Sequence, residues 1–308
     1  MQLDFSNTAI AIAGDVMLDR YWFGDSTRIS PEAPVAVVRV NSTHEVPGGA
    51  ANVAMNVVGL GASTTLLSVV GDDHEGLVLE DDLTRSRVNC VFLRDRSLRT
   101  TVKLRILARQ QQIARADFEQ RPDHEVLLPL VDMFSEQLMM CKVVIFSDYG
   151  KGGLTHMSLM MDYAIKAGVD ILIDPKGTDY ALYRGATCIT PNREEFSMVV
   201  GSWVNEADFE SRAFSLRDRL NLGSLLVTRS EEGMSLFLGH RHIRIYSKAR
   251  QVFDVSGAGD TVIATLASAI GMGMDIEAAA HLANTAASVV VGKIGTSPIS
   301  LKELQEHV

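Results

Sequence analysis

The chain has 308 residues, 46% hydrophobic and 22% charged, with 29 basic against 38 acidic side chains and a net charge of −9. A chain of this length buries roughly three quarters of its unfolded surface, and the composition is globular rather than disordered or fibrous. The acidic balance argues against a broad nucleic-acid or membrane-surface role, yet leaves room for a local basic pocket around a phosphorylated small molecule. Cys90, Cys141 and Cys188 are odd in number, far apart and without metal spacing, and read as buried thiols of a reducing compartment. The start lacks a basic segment followed by a long apolar one, and no apolar stretch reaches membrane length, so the expected location is the cytoplasm.

Thr8 to Ala13 forms a short apolar run that stops at Gly14-Asp15, which predicts a buried strand ending in a polar loop. Asp15 and Asp19 fall at its exit, where an open α/β sheet binds ligands; they could equally cap a turn. Ala33 to Val46 and Thr100 to Phe118 are β-rich and partly alternating, and are expected to pair as a small accessory sheet, a lid formed by about 33–47 and 97–118. Lys103, Arg105, Arg109 and Arg115 place basic side chains on that lid, within reach of a substrate phosphate or on a solvated face. Between the lid segments, Gly48-Gly49-Ala50-Ala51-Asn52 opens a small-residue helix that lets a ligand approach the backbone, with Asn52 as donor and acceptor; tight helix packing is the alternative use.

Strand-like runs recur at Thr64–Val70, Lys142–Asp148, Val169–Asp174, Thr187–Thr190 and Ser224–Thr228, alternating with helical stretches. This βαβ rhythm predicts a mostly parallel sheet covered on both faces, closed by helices around Asp260–Gly271 and Ile276–Val291. Polar ends at Asp148 and Lys151, Asp174 and Lys176, Asn192 and Glu195, and Thr228 to Gly233 would converge on one edge and make a cleft. The last signal is Asp254-Val255-Ser256-Gly257-Ala258-Gly259-Asp260-Thr261, a glycine turn running into an apolar helix. Backbone N–H groups of Gly257, Ala258 and Gly259 would face an anion at the positive helix end, with the Asp260 carboxylate beside it. That pairing of base and anion hole suits phosphoryl transfer, although the same octapeptide can be an ordinary N-cap. The helix dipole predicts a low Asp260 pKa and a weak base.

The two glycine turns, Gly48 to Asn52 and Asp254 to Thr261, resemble the two signatures of the ribokinase (PfkB-type) carbohydrate kinases, and the resemblance covers nearly the whole chain. Within that family, Gly14 to Trp22, Arg28 to Pro34, Asp174 to Gly177 and Gly292 to Ser297 resemble the heptose 7-phosphate kinases of lipopolysaccharide core synthesis. The resemblance implies a three-layer α/β/α sandwich with a small β-sheet lid, over residues 1–308 as one kinase domain. It implies transfer of the ATP γ-phosphoryl to the anomeric hydroxyl of a heptose 7-phosphate. The alternatives are a kinase of another sugar or sugar phosphate, or a sensor without turnover.

In that reading Asp260 is the base and Gly257, Ala258 and Gly259 are the anion hole. Asp15, Asp19, Gly48, Gly49, Asn52, Arg105, Asp148, Lys151 and Lys176 face the sugar phosphate. Asn192, Glu195, Thr228, Arg229, Ser230, Gly233 and Asn284, with Gly257 and Gly259, face the nucleotide. Glu195 orders Mg2+ through water, and Asp254, Ser256 and Gly295 hold a monovalent cation such as K+. Ser230 departs from the family's usual glycine. The resemblance further implies a homodimer through the lids and, in many bacteria, fusion to a nucleotidyltransferase domain.

Overall fold

The computed structural model describes residues 3–109, 111–248, 252–293 and 295–308; Ile294, within one of the heptose-kinase-like strings, lies outside the described residues. The strands are β1 (Ala9–Gly14), β2 (Val16–Ile29), β3 (Ala36–Gly49), β4 (Ser63–Gly71), β5 (Asn89–Asp95), β6 (Val102–Ala108), β7 (Gln111–Phe118), β8 (Val143–Ser147), β9 (Asp170–Asp174), β10 (Cys188–Ile189), β11 (Ser224–Thr228), β12 (Met234–Leu238) and β13 (Arg241–Ile245). The helices are α1 (Ala50–Gly59), α2 (His74–Arg85), α3 (Leu128–Gln137), α4 (Met157–Ala167), α5 (Arg193–Val200), α6 (Glu206–Arg219), α7 (Ala258–Gly271), α8 (Ile276–Val290) and α9 (Leu301–Gln305).

Among the described residues the main sheet runs β13-β12-β11-β10-β9-β8-β1-β4-β5. It is parallel from β5 to β11, with β12 and β13 added antiparallel. Because side chains alternate along a strand, each central strand feeds two cores. Ile10 and Ile12 of β1 pack with α1, α7 and α8, while Ala11 and Ala13 pack with α3, α4 and α6 on the opposite face. Helices on both faces of a parallel sheet are what nearly continuous apolar strands require. In α7, Ile263 and Leu266 are completely buried, each contributing roughly 2 kcal/mol of apolar transfer. Ala50, Ala51 and Ala54 give α1 a flat face that brings it against α7.

The second sheet has the order β3-β2-β6-β7 and corrects two expectations. The chain does not enter a loop after β1: only Asp15 separates β1 from β2, so the first strand of the body continues directly into the lid. The two β-rich segments do not hydrogen-bond to each other; β2 lies between them, antiparallel to β3 and parallel to β6. The register sets Asp19 beside Lys103 and Tyr21 beside Arg105, all on one face. Of the three thiols, Cys188 is buried and Cys90 and Cys141 are only partly so. No helix among the described residues is long and apolar enough to cross a membrane.

Candidate active site

Asp260 is the third residue of α7, and Gly257 is the N-cap, with φ at +77°. A side chain at Gly257 would meet Asn52 Nδ2 at 2.8 Å and Thr296 Cγ2 at 3.0 Å, so both conformation and space demand glycine. The Ala258 N–H turns to the Val255 carbonyl at 3.2 Å. Among the described residues, no carbonyl takes the N–H of Gly259 or Asp260, which are left facing outward at the helix start.

The Asp260 carboxylate is buried and gripped from two sides. Asn52 Nδ2 donates to Oδ2 at 2.6 Å, and the Tyr149 hydroxyl donates to Oδ1 at 2.5 Å. Asn52 is itself fixed by Asn56, whose Nδ2 donates to the Asn52 carbonyl at 2.8 Å while its Oδ1 accepts from Thr261 Oγ1 and from the Ile299 N–H. Here the expectation of a low pKa fails. Burial pushes Asp260 up to about 6, with Asp19 adding to the rise and Tyr149, Asn52 and Lys103 opposing it. Desolvation outweighs the helix dipole, and the result is a stronger base that is still mostly ionised at neutral pH.

Toward the lid, Arg105 pairs with Asp19 at 2.5 Å and lies over the Tyr21 ring at 5.2 Å. Gly48 makes room for this pair, since a Cβ there would collide with Asp19 Oδ2. Lys103 sits beside them; burial lowers its pKa, and Lys151 and Arg105 act in the same direction. Arg109 lies at the β6–β7 turn with φ at +49°, and Arg115 pairs with Asp117 on the exposed strand. Lys151 pairs with Glu119. Asp15 has a different surrounding from a ligand-facing acid: its carboxylate accepts the N–H groups of Tyr149, Lys151 and Gly153 at 2.9–3.1 Å and so pins the loop after β8.

Behind the base, Asp148 accepts from the Tyr183 hydroxyl at 2.9 Å, and Lys176 pairs with Glu195 at 2.9 Å. Glu195 also closes a capping box with Asn192. Asp174 is driven well above the ordinary carboxylate range by burial, with Asp260, Glu195 and Asp148 reinforcing the shift and Lys176 opposing it. Burial keeps Asp174 protonated, and among the described residues these carboxyls do not close into a direct ligand cluster; Glu195, at the cavity side of this group, is the carboxylate that could hold a divalent cation through water.

On the other side of the α7 start lies a cavity of about 1150 Å³, lined by Asn192, Thr228, Ser230, Gly233, Ala258, Gly259 and Asn284 among others. Trp203, Met198, Val252 and Val291 supply its apolar walls and were not anticipated. Ser230 has φ at +54°, a left-handed backbone that glycine adopts without strain, which gives a physical reason for the glycine expected at this place. Arg229 does not line the cavity: its buried guanidinium pairs with Glu206 and Glu232 and lies over the Phe209 ring at 4.7 Å. Asp254 accepts from the N–H groups of Ser256 at 2.9 Å and Gly295 at 3.1 Å, joining the two stretches proposed to hold a monovalent cation. Burial raises its pKa, but these hydrogen bonds prevail and hold it below the usual value.

One carboxylate thus stands between a cleft bearing cations and a nucleotide-sized cavity, at a helix start with outward N–H groups. The pfkB family carbohydrate kinase profile matches residues 7–303. The chain belongs to that family. Carbohydrate kinase activity follows from the membership, which also implies ATP as phosphoryl donor and a divalent metal. The chain is 45% identical over 306 residues to the bifunctional protein HldE of Vibrio cholerae serotype O1, covering 99% of this chain and 64% of the relative; it therefore spans about two thirds of that relative's length. Among solved structures, phosphofructokinase-2 from Escherichia coli in complex with potassium superposes with a TM-score of 0.81 at 17% identity, covering 97% of each chain. Arabidopsis thaliana ribokinase complexed with ribose and ATP gives 0.76 at 19% identity, covering 97% of this chain and 98% of the other. At those identities the structures establish the shared ribokinase-like fold alone.

Tyr149, Asn56 and Asp174 are among the polar site residues to which the sequence assigns no role. Asp174 stood in a strand-end string, and Tyr149 lay between two named residues, Asp148 and Lys151. Neither had a local pattern that pointed to Asp260, which is 111 residues beyond Tyr149.

Proposed function

We propose that this kinase phosphorylates the anomeric hydroxyl of D-glycero-β-D-manno-heptose 7-phosphate, giving the 1,7-bisphosphate used for ADP-heptose and lipopolysaccharide core synthesis. The observation that carries the reading is the Asp260 carboxylate, gripped by Asn52 and Tyr149 between the lid cleft and the nucleotide cavity. The relatives named HldE and the heptose-kinase-like strings support the choice of sugar.

Asp260 accepts the proton of the sugar hydroxyl as the oxygen attacks the γ-phosphorus, and the Gly259 and Asp260 N–H groups face the charge that spreads over the transferred group. In a loose transition state little nucleophilic push is required, so positioning by the α7 start and Asn52 carries most of the rate. Asp19 and Asn52 meet the sugar hydroxyls; Arg105, with Lys103 beside it, meets the 7-phosphate. Glu195 would hold Mg2+ through water, which supplies charge neutralisation at the phosphates. Asp254, Ser256 and Gly295 would hold K+, which would add positive charge beside the α7 start. We assign Asp15 to positioning the loop and Arg229 to structure rather than to ligands.

We further read the chain as one domain with an inserted lid, a cytoplasmic homodimer through the lid sheets, and the kinase part of a fusion with a nucleotidyltransferase. Light scattering giving a monomer mass at micromolar concentration contradicts the dimer. ATP consumption over a panel of free and phosphorylated sugars tests the main reading. Highest turnover on the heptose 7-phosphate is expected, preference for another sugar phosphate moves the substrate, and no turnover on any sugar overturns the kinase reading.

A further inference from the structure

Each oxygen of the Asp260 carboxylate is met by a side chain from a different part of the chain, and the Tyr149 side is built with as much support as the Asn52 side. The Asp15 carboxylate takes the N–H of Tyr149 itself and those of Lys151 and Gly153, which pins the loop at the ring and beyond it. The ring lies against Gly49, where a Cβ would stand 3.5 Å from Tyr149 Cε2 and φ is +61°. The Lys103 ammonium is 5.9 Å from the ring centroid on the lid side. Burial, the Asp260 charge and then Asp174 push the Tyr149 phenol well above its ordinary range, so it stays a protonated donor.

Resting on the base assignment above, we propose that Tyr149 is a positioning residue for phosphoryl transfer: its hydroxyl holds the Asp260 carboxylate in one rotamer and as the anion. In the transfer step the acceptor hydroxyl's proton passes to the Asp260 carboxylate. The sugar oxygen–phosphorus bond forms as the bond to the departing ADP breaks, and Tyr149 keeps its own proton throughout. The titratable groups facing Asp260 are Asp19 from β2, Lys103 from β6 and Asp174 from β9, the last held protonated by burial and by the Asp260 charge. Burial and Asp19 favour the protonated acid; Tyr149, Asn52 and Lys103 favour the anion. Removing the Tyr149 hydroxyl withdraws the donor on Oδ1 and leaves that oxygen buried without it.

The test is the pH dependence of kcat/KM for the whole chain with ATP and the sugar of highest turnover in the panel. Tyr149→Phe is expected to move the acidic limb up by about one pH unit, the size of one hydrogen bond to a charged group. The fall in kcat should exceed any change in the KM for ATP. An acidic limb that stays in place, with kcat reduced equally at every pH or unchanged, overturns the proposal. A second probe does not depend on how well the phenylalanine variant folds: 3-fluorotyrosine incorporated at position 149 keeps the ring's shape and strengthens the donor. It should move the limb down, and an unmoved limb counts against the inference. Asp260→Asn is measured in parallel. Turnover in that variant sinks the base assignment itself, whereas an inert Asp260→Asn beside unmoved limbs in both Tyr149 variants sinks only this inference.

Discussion

Replacing Asp260 by asparagine separates two consequences of one buried carboxylate, and each has a size. Loss of a general base costs on the order of 10²–10⁴ in kcat, or roughly 3–5 kcal/mol of barrier. Nucleotide binding should be nearly unchanged, because the cavity is lined by Ala258 and Gly259 and not by the Asp260 side chain. Stability responds with a sign that pH reveals. The folded-state pKa is raised to about 6 from an ordinary 3.8, so the folded chain binds the proton more tightly than the unfolded one. The stabilisation from protonated Asp260 is full below about pH 3.8 and is lost as pH rises through about 6. Across that window the group withdraws about 3 kcal/mol from the wild type, and asparagine does not titrate. Offsetting this, the amide oxygen can accept from Asn52 while its Nδ2 meets the Tyr149 hydroxyl, which must turn from donor to acceptor and leave its own proton unpaired, costing about 1–3 kcal/mol at every pH. The assay pairs ATP consumption with urea unfolding of both proteins from about pH 4 to 8, which takes in the window between the two pKa values and the plateau above it. The difference in unfolding free energy should shift toward the variant as pH rises through about 6 and then level off. Wild-type turnover refutes the base assignment, and a pH-independent stability difference refutes the buried-charge argument.

Gly257→Ala forces a left-handed backbone on alanine and drives Cβ toward Asn52, so we expect a loss of about 1–3 kcal/mol and a kcat reduced beyond what unfolding explains; a wild-type melting curve and kcat contradict this. Arg229→Met should lower stability by about 1–3 kcal/mol through its partly exposed partners Glu206 and Glu232 while leaving the KM for ATP within about twofold. A large rise in that KM would return Arg229 to the nucleotide site. Arg105→Leu should raise the KM for a phosphorylated sugar at least about tenfold, with little change for its dephosphorylated counterpart or for ATP. Equal effects on both sugars contradict a phosphate contact.

The body of the fold was legible because its information is local. Runs such as Val143–Ser147 and Ser224–Thr228 are apolar on both faces, and only a covered parallel sheet accommodates that. The Gly257–Asp260 turn was legible for the same reason, since cap, dipole and carboxylate lie within four residues. What the sequence concealed depends on distant partners. The 14 residues of β2 alternate too weakly to declare a strand, and β2 is held by pairing with β3 and β6 on either side. The Asp260 pKa was misjudged because the dipole is written in the helix start, whereas the burial that raises it, with Asp19 adding to the rise, comes from parts of the chain far from that turn. Arg229 was expected at the nucleotide because the Thr228-to-Gly233 string resembles the family's nucleotide-side positions; Glu206, 23 residues earlier, takes its guanidinium instead.

The direct run of β1 into β2 has a consequence for how such an enzyme changes its substrate. Asp19, Lys103 and Arg105 occupy alternate positions on lid strands, whereas the Asp260 carboxylate and the glycine turn belong to a helix of the body. Side chains on the cleft face of the lid can therefore be exchanged without disturbing the cores that hold α7. Under the proposed roles, the lid contacts to the sugar phosphate and the transfer at α7 would be carried by largely separable residues, with Asn52 of α1 serving both, linked through the short stem at Asp15 and the glycines that precede α1.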